Sequence, residues 1–130
     1  MLAMLILAAT SPCAAAAIKS NRDQSECVQR LSEQVERDLN DQWRATLYVV
    51  KQENAENRRE KANKPDLVQG LLQSQRAWLR YRQAQCGMIS DQFAGGTGWG
   101  DYLTYCLIDL TRQRTYVLKK RISGIMPPFP

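Results

Sequence analysis

A long stretch without helix-breaking residues is the feature that most restricts the fold of this chain. From Asp23 to about Arg59, apolar residues recur every three or four positions with charged residues between them, and no Gly or Pro occurs between Asp23 and Pro65. This spacing is typical of one buried face of a helix. The apolar positions are Val28, Leu31, Val35, Leu39, Trp43, Leu47 and Val50. We predict a long first helix, capped within Ser20 to Asp23, with a solvated or frayed far end from Gln52 to Lys64.

Two further stripes with helical spacing follow this segment. Pro65 stops the first helix and Asp66 favours the start of the next one. The second stripe comprises Val68, Leu71, Leu72, Gln75, Trp78, Leu79, Arg82, Cys86, Ile89 and Phe93, and the third, after the glycine-rich loop 94–100, comprises Tyr102 or Leu103, Cys106, Leu107, Leu110, Arg114, Val117, Leu118 and Arg121. No useful length of chain alternates with period two. We predict an all-α fold of three antiparallel helices, with a proline-rich tail from about residue 124.

The first 17 residues predict export. They carry no charged side chain, and the apolar run from Leu2 to Ala9 is far shorter than the roughly 20 residues of a membrane-spanning helix. This is the outline of a secretory signal peptide. We predict that residues 1–17 are a signal peptide cleaved near Ala15 to Ala17, and that residues 18–130 form a single domain in the periplasm or outside a bacterial cell, without a stable membrane span. Lipidation of Cys13 is the alternative.

The cysteines predict a structural disulfide. Cys86 lies near the end of the second helix and Cys106 near the start of the third, so a hairpin through the glycine loop brings them together. We predict a Cys86–Cys106 disulfide that ties this hairpin. Cys27 is then left free, paired between molecules, or paired to Cys13 if processing spares it.

Charge and composition restrict the function. The chain has a formal charge of +5 and no histidine. A basic surface favours acidic partners, and export removes nucleic acid as one of them. Without histidine or a Cys-x-x-Cys spacing we predict no metal site. Since no paired carboxylates or activated nucleophile stand out, we predict a binding protein without a cofactor rather than an enzyme.

Two arginines fall on the predicted apolar stripes. Arg82 and Arg114 must each be paired, or must run their stems along the core and end in water. We expect structural ion pairs with carboxylates of the first helix, of which Glu36, Asp38 and Asp41 are nearest to the right face. The alternative is an arginine that points into a ligand groove and binds a carboxylate or phosphate.

The glycine-rich loop is the candidate recognition element. It lacks the Gly-Lys-Ser/Thr ending of a phosphate-binding loop. Two polar and two aromatic side chains lie on this exposed, disulfide-tied turn, which is typical of binding elements: Thr97, Asp101, Trp99 and Tyr102. We predict that Thr97, Trp99 and Asp101 bind a partner, with Arg80 or Arg112 nearby.

The second and third stripes contain the pattern Gln-x-x-Trp-x-x-x-Arg-x-x-x-Cys, then the glycine-rich loop, and then Cys followed by Thr-x-x-Arg. The residues of this pattern are Gln75, Trp78, Arg82, Cys86, Cys106, Thr111 and Arg114. In this pattern the chain resembles the LprI-type lysozyme inhibitor family. The resemblance implies an exported helical protein, inhibition of lysozyme by some members, and motif residues that determine the fold. Family members often carry another cysteine ahead of the one matched by Cys27, and here only Cys13 precedes it.

Two functions are consistent with these features. In the first, a protruding element occupies the cleft of a lysozyme, whose paired carboxylates catalyse hydrolysis. Because many lysozymes are basic, a chain of charge +5 gains no long-range steering toward them, and an acidic lysozyme suits it better. In the second, the protein binds anionic wall polymer, lipid or another envelope protein without affecting lysozyme. Polymer binding weakens steeply with salt, whereas insertion of a loop into a cleft does not.

Overall fold

The protein is built from three α-helices. The computed structural model describes Cys13, residues 18–96 and residues 98–124. Within these residues the helices are α1 (Asn21–Arg59), α2 (Leu67–Asp91) and α3 (Trp99–Ser123), with no strand. The predicted all-α, three-helix fold is therefore confirmed. No helix in this part of the chain has a stretch long and apolar enough to cross a membrane.

Local capping chemistry sets where the first two helices begin. The Ser20 hydroxyl accepts a hydrogen bond from the Asp23 amide at 3.1 Å, and the Asp66 carboxylate accepts one from the Gln69 amide at 3.1 Å. Each bond satisfies an amide that has no partner within its own helix. Both starts lie where the sequence predicts them.

The far end of α1 is helical through Arg59 rather than frayed, and most side chains from Gln52 to Lys64 are exposed, as the solvated alternative predicts. Asn54 is only 4% exposed. Its Oδ1 accepts a hydrogen bond from the Leu67 amide at 3.0 Å, and its Nδ2 donates to Asp66 Oδ1 at 3.2 Å. One amide side chain thus fastens the end of α1 to the start of α2, which explains why this polar segment remains ordered as a helix through Arg59.

The core lies along α1, which packs most extensively against α3. Four members of the predicted first stripe are buried, together with two apolar residues of α3: Val28, Val35, Leu39, Val50, Ile108 and Leu118. Thr46 is also buried and donates its hydroxyl proton to the Leu118 carbonyl at 3.1 Å. In α3 the predicted stripe residues Leu107 and Leu110 are only half-buried. Because α3 contacts both other helices, its buried residues are spread over more than the one predicted stripe.

Two disulfides join the described cysteines. Cys86 pairs with Cys106 (Cα–Cα 5.5 Å), as predicted, and Cys13 pairs with Cys27 (Cα–Cα 5.7 Å). Of the three alternatives for Cys27, the structure therefore shows pairing to Cys13. Cys13 is itself buried beside Val28. A sulfur held in this bond is not available for a thioether-linked lipid.

The Cys13–Cys27 bond leads to a testable expectation about processing. Residues 1–12 and 14–17, where the signal peptide is predicted, lie outside the described residues. Release of a leader cleaved near Ala15 to Ala17 would remove Cys13, and we expect the exported protein to retain Cys13 because it is buried and covalently bound to Cys27. Denatured, unreduced protein should then react with no iodoacetamide. One alkylated thiol per chain would instead show that Cys13 had been removed and Cys27 left unpaired.

Candidate binding surface at the junction of helices α2 and α3

A group of exposed aromatic side chains lies where α2 ends and α3 begins. Trp99 is 46% exposed and Tyr102 is 45% exposed, and Phe93 and Tyr105 beside them are also exposed. We call these four residues the aromatic end. Aromatic side chains are enriched at the centres of protein interfaces because they bury a large area at a small cost in entropy. This surface is therefore suited to binding another protein.

The backbone holds the aromatic end in a defined shape. The Phe93 and Tyr102 rings stack across the loop with centroids 3.8 Å apart and planes 9° from parallel. Gly98 precedes α3 with a φ of +83°, a left-handed conformation that side chains other than glycine rarely adopt. The Cys86–Cys106 disulfide joins α2 to α3 behind the loop. The exposed rings are thus positioned before any partner arrives.

A polar cavity of about 430 Å³ lies beside the aromatic end, against the start of α1. Asn21, Gln24 and Ser25 line it from α1, and Gly98 and Asp101 line it from the loop and α3. Gln24 Nε2 also donates a hydrogen bond to the Tyr105 hydroxyl at 2.7 Å. The cavity offers hydrogen-bonding groups at the edge of an aromatic patch, the arrangement of a protein interface with a polar rim.

The charge of this end is opposite in sign to that of the whole chain. Residues 83–111 contain three aspartates and no lysine or arginine, although the protein has a formal charge of +5. The remaining residues therefore carry a net charge of +8. At physiological ionic strength, charges separated by more than about 8 Å in solvent are largely screened from each other. The segment around the start of α1, which lies against this end, adds Lys19 and Arg22 but also Asp23 and Glu26, so the surface around the aromatic rings remains acidic on balance.

The structure brings together some of the predicted binding residues and separates others. Trp99 and Asp101 both lie in the first turn of α3, whereas Thr97 lies outside the described residues. Arg112 lines a different cavity, beside Asp38 of α1. At 1.5 Å per residue, Arg112 is about 20 Å along α3 from Trp99, and Arg80 is about 16 Å before the end of α2. The arginines are thus placed away from the loop.

Two members of the aromatic end were not predicted as binding residues. Phe93 lies on the predicted apolar stripe of α2, yet its ring is exposed and stacks on Tyr102. Tyr105 lies one helical turn beyond Tyr102, and Tyr102 one turn beyond Trp99. Aromatic residues at this spacing share one helix face. That spacing is the signal by which Tyr105 is detectable in the sequence.

The motif residues form a polar network between the helices. Arg82 donates hydrogen bonds to the Glu36 carboxylate and, at 2.9 Å, to Thr111 Oγ1, and its guanidinium lies 4.8 Å from the centroid of the Trp78 ring. Thr111 is fully buried, and its hydroxyl donates a hydrogen bond to the Leu107 carbonyl. The expected ion pair between Arg82 and Glu36 is confirmed and joins α2 to α1, and the hydrogen bond from Arg82 to Thr111 adds α3.

Arg114 differs from Arg82, and for it the expected ion pair with a carboxylate of α1 is wrong. Its Nε donates to Gln75 Oε1 and its Nη2 to Ser74 Oγ, both at 2.9 Å. None of the ion pairs among the described residues includes it. Burial lowers the pKa of Arg114, since desolvation disfavours its charged form. Its charge is thus held by neutral groups alone.

Comparison with known proteins gives one family and one distant relative. The profile of the lysozyme inhibitor LprI family matches residues 13–118. An uncharacterized protein of Rhizobium meliloti (strain 1021) is 35% identical over 57 residues, a match that covers 44% of this chain and 41% of that protein. The match thus spans about two fifths of that relative's length. No solved structure matches the chain.

Proposed function

The chain belongs to the lysozyme inhibitor LprI family, and we propose that it is an exported protein that inhibits a lysozyme by covering its substrate cleft with the aromatic end. The observation that carries this proposal is the coincidence of exposed aromatic rings with local negative charge on a surface tied by a disulfide. Disulfides are typical of oxidising compartments, which supports export.

The acidic charge of the aromatic end changes which lysozymes we expect the protein to bind. The formal charge of +5 predicts no steering toward a basic lysozyme. Docking through the aromatic end reduces this difficulty, because the 25-residue helices α2 and α3 carry their lysines and arginines away from the interface, where the charges are screened. We therefore propose a basic lysozyme as the target.

Inhibition in this proposal comes from steric exclusion of substrate. The catalytic carboxylates of glycosidases stand on either side of the scissile bond, so a side chain in the cleft excludes the polysaccharide. Trp99 is the best candidate for this insertion, since it is large, exposed and in the first turn of α3. Asp101 lies beside it, in reach of a basic rim around the cleft. Arg80 and Arg112 are too far along their helices to enter the same cleft.

The experiment is lysis of a peptidoglycan suspension by a basic and by an acidic lysozyme in the presence of the folded protein. We expect inhibition of the basic enzyme, and Trp99→Ala should raise the concentration needed for half inhibition about tenfold, which corresponds to the loss of roughly 1.4 kcal/mol of a partly exposed anchor. Tyr116→Ala is the matched control, because Tyr116 is also an exposed aromatic residue of α3 but lies outside the aromatic end. Its inhibition should equal that of the unchanged protein.

Two results would contradict this proposal. If the folded protein slowed neither lysozyme, family membership would describe only the fold. If Trp99→Ala and Tyr116→Ala weakened inhibition equally, the aromatic end would not be the binding surface.

The basic remainder of the protein favours a second candidate function, which is binding of anionic wall polymer. Its net charge of +8 follows from the aspartate-only segment 83–111. The affinity for an anionic polymer falls steeply as salt rises, whereas inhibition by a side chain inserted into a lysozyme cleft depends only weakly on salt. Sedimentation of the protein with purified cell wall at low and high salt separates the two functions.

A further inference from the structure

An apolar groove at the opposite end of the helices from the aromatic end is unrelated to the proposed lysozyme surface. Its volume of about 370 Å³ falls within the range of about 300–1,000 Å³ typical of small-molecule sites. The start of α2, the last turns of α3 and one residue of α1 form its walls. The apolar lining residues are Val50, Leu67, Leu71, Val117 and Leu118.

One positive charge at this groove has no acidic partner. Arg114 lines the groove, and its two hydrogen bonds go to the neutral side chains of Gln75 and Ser74. A half-buried guanidinium without a carboxylate is unfavourable, since desolvation of its charge is not offset by an ion pair. Binding of an anion at Arg114 would remove that cost.

The other charged side chains around the groove already have hydrogen-bonding partners. Arg121 donates two hydrogen bonds to the Glu53 carboxylate, and this contact holds the pKa of Glu53 below its usual value. Asp66 accepts from the Gln69 amide and from Asn54, and its position at the N-terminus of α2 stabilises its negative charge. The groove therefore combines apolar walls with one positive charge, that of Arg114, which has neither an acidic partner nor a helix terminus to stabilise it.

We propose that this groove binds a single-chain amphiphile with a carboxylate head group, of the fatty-acid type, with the carboxylate on Arg114 and the aliphatic chain along Leu71, Val117 and Leu118. One uncompensated arginine matches a monoanion better than a doubly charged phosphate. The planar guanidinium fork suits a carboxylate. The small volume admits one aliphatic chain rather than two.

Calorimetric titration with dodecanoate, below its micelle concentration, tests the proposal without any lysozyme. We expect one dodecanoate to bind per chain, and dodecanol, which has the same chain without the charge, to bind at least tenfold more weakly. Arg114→Gln should abolish this preference. The matched control is Arg76→Gln, which removes one charge from an exposed position of α2 and should leave binding unchanged.

A second variant fills the groove without changing Arg114. Gly70 lines the groove, and a Cβ built on it meets no other atom within 4 Å. Gly70→Leu should therefore fold with at least the original thermal stability, since glycine is a poor helix former, and should lose dodecanoate binding more than tenfold.

Several outcomes would overturn the proposal. Equal binding of dodecanol and dodecanoate would show that Arg114 does not select the head group, and full binding by Gly70→Leu would place the ligand elsewhere. Binding only after removal of residues 125–130 would assign the groove to this chain's own end. If the protein forms a dimer and Gly70→Leu makes it monomeric, the groove would be occupied by a second copy of the chain. Because no step uses a lysozyme, each result leaves the proposed inhibition untouched.

Discussion

Replacing Arg82 with alanine should lower the free energy of unfolding by about 3 kcal/mol, because the change removes a charge-assisted hydrogen bond, a hydrogen bond to a buried hydroxyl and contact with an aromatic face. The partners lost are Glu36, Thr111 and Trp78. The Arg82 side chain is only 17% exposed, whereas Glu36 is 42% exposed. Glu36 is therefore rehydrated in the variant, which keeps the loss below that of a fully buried pair.

Urea unfolding followed by circular dichroism measures this effect, and the chain supplies a close control. Arg80→Ala removes an exposed arginine from the same helix, and its unfolding free energy should change by less than about 0.5 kcal/mol. Arg82→Lys should fall between the two, since lysine keeps the charge but cannot bond Glu36 and Thr111 with a planar fork. Equal stability of Arg82→Ala and Arg80→Ala would show that the network around Arg82 does not stabilise the fold.

Removing the Cys86–Cys106 disulfide should lower the free energy of unfolding about as much as replacing Arg82 with alanine. The bond closes a chain segment with a sequence separation of 20, which in the chain-entropy treatment stabilises the folded state by about 3 kcal/mol. For a domain of this size the melting temperature of the Cys86→Ala/Cys106→Ala variant should fall by roughly 10–20 °C. Loss of the link behind the loop should also release the aromatic end and weaken inhibition of lysozyme.

The second disulfide is the natural comparison for this variant. Cys13 and Cys27 are separated by 14 positions, so the entropic contributions of the two bonds should differ by only about 0.3 kcal/mol. We expect Cys13→Ala/Cys27→Ala to melt at nearly the same temperature as Cys86→Ala/Cys106→Ala. A cost below about 1 kcal/mol for the Cys86 and Cys106 change would mean that contacts, rather than the cross-link, hold α2 against α3.

The sequence predicts only part of the candidate surface. Trp99 and Asp101 were predicted from their place in a glycine-rich, disulfide-tied turn, and both lie beside the polar cavity or the exposed rings. The sequence places Phe93 on an apolar stripe, but the spacing of apolar residues does not show whether another helix covers each position. At the end of α2 no helix covers that position fully, and the ring stacks on Tyr102 while remaining exposed.

Local chemistry in the sequence determines the helices, their caps and one disulfide. The spacing of apolar residues is a property of each segment alone, Ser20 and Asp66 cap helices through amides three residues away, and Cys86 and Cys106 flank a single short loop. Interactions of this kind act within a turn or across one connection. They can therefore be predicted from neighbouring residues.

The tertiary structure alone decided the different roles of Arg82 and Arg114. Both arginines occupy equivalent positions on apolar stripes, and both were expected to pair with carboxylates of α1. Arg82 faces Glu36, whereas Arg114 meets only the neutral Gln75 and Ser74 beside an apolar groove. The difference depends on which residue of one helix lies opposite which residue of another. That register is set by packing of the whole core and not by any single segment.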